Sequence, residues 1–235
     1  MVTSRHRTDE NARHATQTSG PIAVAIDLLG GFEVTVDGRP IDAAAWGRRH
    51  AAGIVKLLAL APGHRLHREQ VLDALWPDDT LAEATPKLHK AAHYARRALG
   101  VPNAVVARGE QLALCPDHAV DVDAVRFEEL ARDALATGDR QAAASVLDLY
   151  DGELLPEDRY AEWAEEPRRR LRLAHLSVLR LAERWDDVLA IDPSDEAAHV
   201  AVMRRYAAAG DRHGALRQFE RLDRQLRGEL GVSPS

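Results

Sequence analysis

KLHKAAHYARRALG, residues 87–100, holds two of the chain's three lysines and no acidic residue, in a protein of 235 residues whose formal net charge is −6. On a helix, Leu88, Ala92, Ala95 and Leu99 fall at i, i+4, i+7 and i+11, a stripe that faces a core. Lys87, Lys90, Tyr94 and Arg97 follow i, i+3, i+7 and i+10 on another face, with His93 and Arg96 beside them. Such a face reads either as the solvated side of a helix in an arginine-rich protein or as a surface that meets nucleic acid. Its neighbours in the chain decide between the two.

Upstream, Val71, Leu72 and Leu75 mark the inner face of a helix over about His67–Trp76, which Pro77 ends. The loop PDDTLAE (77–83) follows. Thr85 then stands where an N-cap belongs and Pro86 at the first helical position, which tolerates a residue without N–H. The basic helix therefore runs over 85–99, with Gly100 as its C-terminal stop. Further upstream, Ile54, Leu57, Leu58 and Ala61 describe a helix that starts near Arg48 and halts at Pro62-Gly63. IAVAIDLLGGFEVTVDGRPI (22–41) alternates in short Val/Ile runs around an Asp37-Gly38 turn, the pattern of two or three antiparallel strands. Downstream, VVARGEQLALC (105–115) places apolar flanks about Gly109 as a hairpin.

Strands, three helices and a closing hairpin spell a winged helix-turn-helix, and the leading strands suggest its OmpR-type variant. In that fold the third helix enters the major groove, where lysine and arginine meet guanine edges or phosphates. Position thus favours the nucleic-acid reading of Lys87, Lys90, His93, Tyr94, Arg96 and Arg97. Arg108, at the tip of the wing, can reach a phosphate, although Glu110 beside it works against that. Arg48 and Arg49 can donate to phosphate together with the N–H groups that open the first helix.

From residue 121 onward the strand signals vanish. Phe127, Leu130, Ala131, Ala134 and Leu135 mark one helix, and Ala143, Val146, Leu147 and Tyr150 the next, joined at Gly138-Asp139. A similar join recurs at Gly210-Asp211, about twice the tetratricopeptide period away. Between them Leu171, Ala174, Val178, Leu181 and Trp185 line a longer helix. The fold class is mainly α with a small β part: a winged helix over 22–120 followed by an all-α tetratricopeptide-like array over 121–235. Residues 22–120 are expected to fold alone. Residues 1–21 lack a hydrophobic stretch and read as a disordered tail.

Charge supports a local rather than a global nucleic-acid footprint, since the three segments carry net +1, 0 and −7. Hydrophobic residues at 46% and charged residues at 29% place the chain among ordinary globular proteins, expected in the cytoplasm. No apolar run approaches the length needed to cross a bilayer. Cys115 stands alone and fits a reducing compartment. His89 and His93 have the i, i+4 spacing of a metal pair, yet no HExxH, paired CxxC or nearby carboxylate completes a site. Phosphate-loop and nucleophile-elbow motifs are missing too, so neither enzyme, metal nor cofactor is expected.

LHREQVLDALWPD followed by KLHKAAHYARRALG resembles the DNA-binding domain of the actinobacterial SARP regulators. VDVDAVRFEELA, LLPEDRYAEWAEEPRRRLRL and AAAGDRHGALRQFERLDRQLRGELGVSPS are similar to stretches of the bacterial transcriptional activator domain that follows it. The resemblance implies a regulator, usually an activator, that binds promoter repeats in double-stranded DNA, contacts RNA polymerase and admits a homodimer on DNA, with no membrane partner. By likeness to OmpR-type regulators, Asp78, Asp79 and Glu83 of the loop between the second and third helices would meet the polymerase. ERWDDVLAIDPSDEAAH is shorter than in compact members, which suggests the N-terminal part of a larger regulator with further domains. The competing reading is a protein-interaction module in which the array binds a partner and the winged helix is a scaffold.

Overall fold

A computed structural model describes residues 22–229; the expected tail over 1–21 lies outside them. Strands β1 (Ala23–Asp27), β2 (Glu33–Val36) and β3 (Arg39–Pro40) form the antiparallel start of the first sheet. Asp37 and Gly38 both take positive φ, 47° and 75°, as a tight hairpin turn requires. Helix α1 (Arg49–Leu60) is buried along its whole middle, from Ala51 to Ala59, because the sheet and two further helices surround it. Gly53 admits that closeness: a Cβ there would stand 3.2 Å from Leu75 Cδ2.

After α1, β4 (Arg65–His67) leads into α2 (Arg68–Leu75) and α3 (Leu81–Leu99). The wing is β5 (Val105–Arg108) and β6 (Gln111–Leu114), turning at Gly109, whose φ is 60°. β4 completes a second sheet in the order β4-β6-β5. Strand β7 (Ala119–Val122) then returns to the first sheet and lies parallel to β1, giving the order β3-β2-β1-β7.

The basic helix starts one turn earlier than its sequence suggested. Thr80, not Thr85, precedes it, and the Glu83 carboxylate accepts from both the Thr80 N–H (3.0 Å) and the Thr80 hydroxyl (2.7 Å). Pro86 therefore occupies the sixth helical position and removes the bond to the Ala82 carbonyl. Thr85 lies inside the helix and donates its hydroxyl to the Leu81 carbonyl at 2.7 Å. The seven-residue loop over 77–83 shrinks accordingly, and Glu83 belongs to the first turn of α3.

The second half continues with α4 (Asp123–Thr137), α5 (Arg140–Leu147), α6 (Glu162–Leu181), α7 (Trp185–Ile191), α8 (Glu196–Ala208) and α9 (Arg212–Glu229). Both Gly-Asp joins do what glycine and aspartate do best at helix ends. Gly138 and Gly210 take φ of 66° and 74°, and the following aspartates accept N–H bonds from Gln141, Ala142 and Gly214. Trp185 opens α7 instead of lining α6, because the chain breaks at Glu183, where φ is 57°.

A boundary at residue 120 falls inside β7, and one apolar core runs across it. Val24, Ile26, Leu28, Ile54 and Leu88 belong to the same buried cluster as Phe127, Leu154, Leu155 and Leu171. Asp123, itself buried, accepts N–H bonds from Leu28 (2.8 Å), Leu29 (2.9 Å) and Ala124. Burial pushes its carboxyl pKa up while those three donors pull it back. Gly30 and Gly152 let two loops meet where a Cβ on Gly152 would stand 3.0 Å from the Gly30 Cα. A chain cut at residue 120 would expose this apolar surface, contrary to the expectation that 22–120 stands alone.

Candidate nucleic-acid interface

Helix α3 buries Ala84, Leu88, Ala91, Ala92, Ala95 and Leu99 against α1, α2 and the wing. Its outward side presents Ala82, Pro86, His89, Lys90, His93 and Arg97, all exposed. The capping carboxylate of Glu83 stays at the start of the helix, held below the usual carboxylate range by its bonds to the Thr80 hydroxyl and N–H. Beyond it, no acidic residue stands on α3.

The cations of the basic helix divide into two sets. Lys87 donates to Asp79 Oδ2 at 2.5 Å, and Arg96 turns back to give Nη1 to the Val105 carbonyl at 2.9 Å, tying α3 to the wing. Lys90 and Arg97 have no hydrogen-bond or ion-pair partner among the described residues. Tyr94 is half-buried, packed beside Gly47 and under the Arg48 guanidinium, 5.5 Å from its ring centre. His93 lies edge-on to Tyr94 at 5.8 Å.

Arg49 begins α1 next to His50, whose ring stacks on Trp76 at 4.9 Å. Burial, then the charges of Arg49 and Lys87, lower the His50 pKa, while Asp79 acts the other way. That response brings Arg49, Lys87 and Asp79 into one electrostatic neighbourhood at the N-terminal part of the candidate face. At the wing tip, Arg108 reaches Asp117 at 3.4 Å and Glu110 reaches Arg68 at 3.2 Å, so both wing charges are answered within the chain.

The three acids of the predicted contact loop do not act together. Glu83 caps α3, Asp79 holds Lys87, and Asp78 alone is exposed without a partner among the described residues. His89 was missed as a member of the outward face. Its signal was its i, i+4 relation to His93, which pointed to a metal; among the described residues, no group of three or more metal-ligating side chains gathers. Cys115 is buried beside the wing, and burial pushes its thiol pKa to about 11, so it stays protonated and inert.

Sheet, three helices and wing make a winged-helix fold, and a helical array follows it. Residues 122–235 match the family model of the bacterial transcriptional activator domain. A structure of Mycobacterium tuberculosis EmbR, solved in complex with a low-affinity phosphopeptide, shares the fold with a TM-score of 0.71 at 18% identity. The match covers 91% of this chain and 62% of that one, so this chain spans under two thirds of EmbR's length. No curated protein matches the sequence. The shared fold is a winged helix followed by a helical array.

Proposed function

We propose that the protein is a sequence-specific DNA-binding transcriptional activator that works in the cytoplasm and catalyses no reaction. The winged helix over 22–120 sets α3 in the major groove of promoter repeats, and the helical domain over 121–235 holds protomers together as a homodimer on DNA. Lys90, His93 and Arg97 meet base edges or phosphates, joined by His89. Arg49 meets a phosphate at the margin, Lys87 and Arg108 stay held by Asp79 and Asp117, and Arg48, Tyr94 and Arg96 fix the position of α3. Asp78, left open between α2 and α3, meets RNA polymerase.

The observation that carries this reading is the outward stripe of α3, where Lys90 and Arg97 lack an acceptor among the described residues. Unanswered cations on an exposed helix are suited to phosphate, which releases condensed counterions when it is neutralised. The test is a gel shift of the full chain on GC-rich promoter DNA across a salt series. Affinity is expected to fall linearly on logarithmic axes with a slope of about −0.9 per phosphate contact. Absence of binding at low salt would transfer the function to the helical array as an interaction module.

A further inference from the structure

A cleft of about 760 Å³ is lined by no residue of α3. It opens between β2 and β3, the 3-10 turn Ala43–Trp46, α1, and Glu157 from the second half. Its volume falls within the range that takes small organic ligands, and it sits at a seam between halves, where such sites concentrate. The floor is aromatic: Phe32 and Trp46 meet at 5.2 Å with their planes tilted by 44°.

Charge along the cleft is graded. Arg48 and Arg49 stand at the start of α1 and have no carboxylate within ion-pairing distance among the described residues. Lys56 lies seven residues further, about 10 Å along the helix axis. Its ammonium is already answered by Asp158 and sits 4.5 Å over the Phe32 ring, so it offers an incoming anion little. Glu33 and Glu157, sequence neighbours of Phe32 and Asp158, add negative charge to the lining. A carboxylate or sulfonate is therefore drawn to the arginines, and a second negative group further along meets like charge.

We propose that this cleft is a binding site for a small organic monoanion with a flat apolar body, the acid group held by Arg48 and Arg49 and the body laid on Phe32 and Trp46. Polyanions such as nucleotides are excluded by Glu33 and Glu157. The site shares Arg48 and Arg49 with the DNA reading but does not rest on it, since its occupancy can be measured without DNA.

The probe is 8-anilinonaphthalene-1-sulfonate, an aromatic monosulfonate that brightens in apolar surroundings, titrated into the full chain. Arg49→Glu should weaken saturable binding by about tenfold or more through like-charge repulsion, whereas Arg132→Glu, an equal change of charge on exposed α4, should leave it within about twofold. Glu157→Gln should tighten it. 1-Naphthoate should displace the probe and ATP should not. Equal binding by the Arg49 and Arg132 variants overturns the site, and displacement by ATP as effective as by naphthoate overturns the ligand class. Far-ultraviolet circular dichroism of the Arg49 variant, whose side chain is exposed, should match the unaltered chain.

Discussion

Helices α3 and α6 are built alike and treat their cations in opposite ways. Each carries a proline at its sixth position, Pro86 in one and Pro167 in the other, and each is rich in basic residues. All five arginines of α6 find acceptors within the chain. Arg168 reaches the Leu154 and Asp158 carbonyls, Arg169 reaches Glu166, Arg170 reaches Glu128, Arg172 reaches the Ile191 carbonyl and Arg180 reaches Asp195. In α3 only Lys87 and Arg96 are satisfied in this way. The comparison teaches that basic content does not mark a DNA-facing helix. What separates the two helices is the set of cations left without acceptors among the described residues.

The largest expected effect comes from taking the acceptor away from a buried cation. Asp158→Ala strands the Lys56 ammonium in the core and should cost about 3 kcal/mol of stability, read as a lower urea midpoint at constant m-value. A midpoint unchanged from wild type would mean that internal pairing does not govern these cations. Next, Lys90→Ala combined with Arg97→Ala should flatten the salt slope of DNA binding by about two units per protomer. Arg170→Ala with Arg180→Ala should leave the slope unaltered, and equal flattening by both pairs would erase the distinction between α3 and α6.

Asp79→Asn sharpens the division within α3 itself. Freed from its carboxylate, Lys87 should become available to phosphate, steepening the slope by about one unit and raising affinity at low salt. A weaker complex would show instead that Asp79 serves to position Lys87. The smallest effect concerns pH. His175 on α6 stacks on Tyr150 at 3.8 Å, and burial holds its pKa below the ordinary value, with Asp187 opposing. As pH falls through about 6.5 the unfolded chain takes up this proton first, so the folded state loses stability on acidification. His175→Phe keeps the stacking and should lose less stability than wild type between pH 7 and pH 5. Equal losses would remove His175 as a contributor.

Much of the fold was legible because it rests on local patterns. The spacing of Ile54, Leu57 and Leu58, the Asp37-Gly38 turn and the Gly-Asp joins each carry their structural cause within a few residues. β4 and β7 were not legible, since such short strands gain definition only from partners far along the chain. The start of α3 was misplaced because Thr85-Pro86 imitates a helix opening, while the reciprocal pair Thr80 and Glu83 supplies the real one. At the candidate site, the residue types were visible but their availability was not. Nothing local announces that Arg96 spends its guanidinium on the Val105 carbonyl, or that Arg108 turns to Asp117. Lys87 and Asp79 are close in sequence, yet only the shortened loop between α2 and α3 brings them together.

The parallel pairing of β1 with β7, locked by the Leu28 N–H on Asp123 across 95 residues, also sets a clock. Translation at about 5–20 residues per second delivers that partner roughly 5–20 s after β1 itself. During that interval β1 can pair with β2 through their short hairpin, but its other edge stays open. The three helices and the wing are all synthesised before Asp123 arrives to close it. The apolar face that Phe127, Leu154, Leu155 and Leu171 cover thus waits on residues made later, and the order of manufacture sets when the shared core can close.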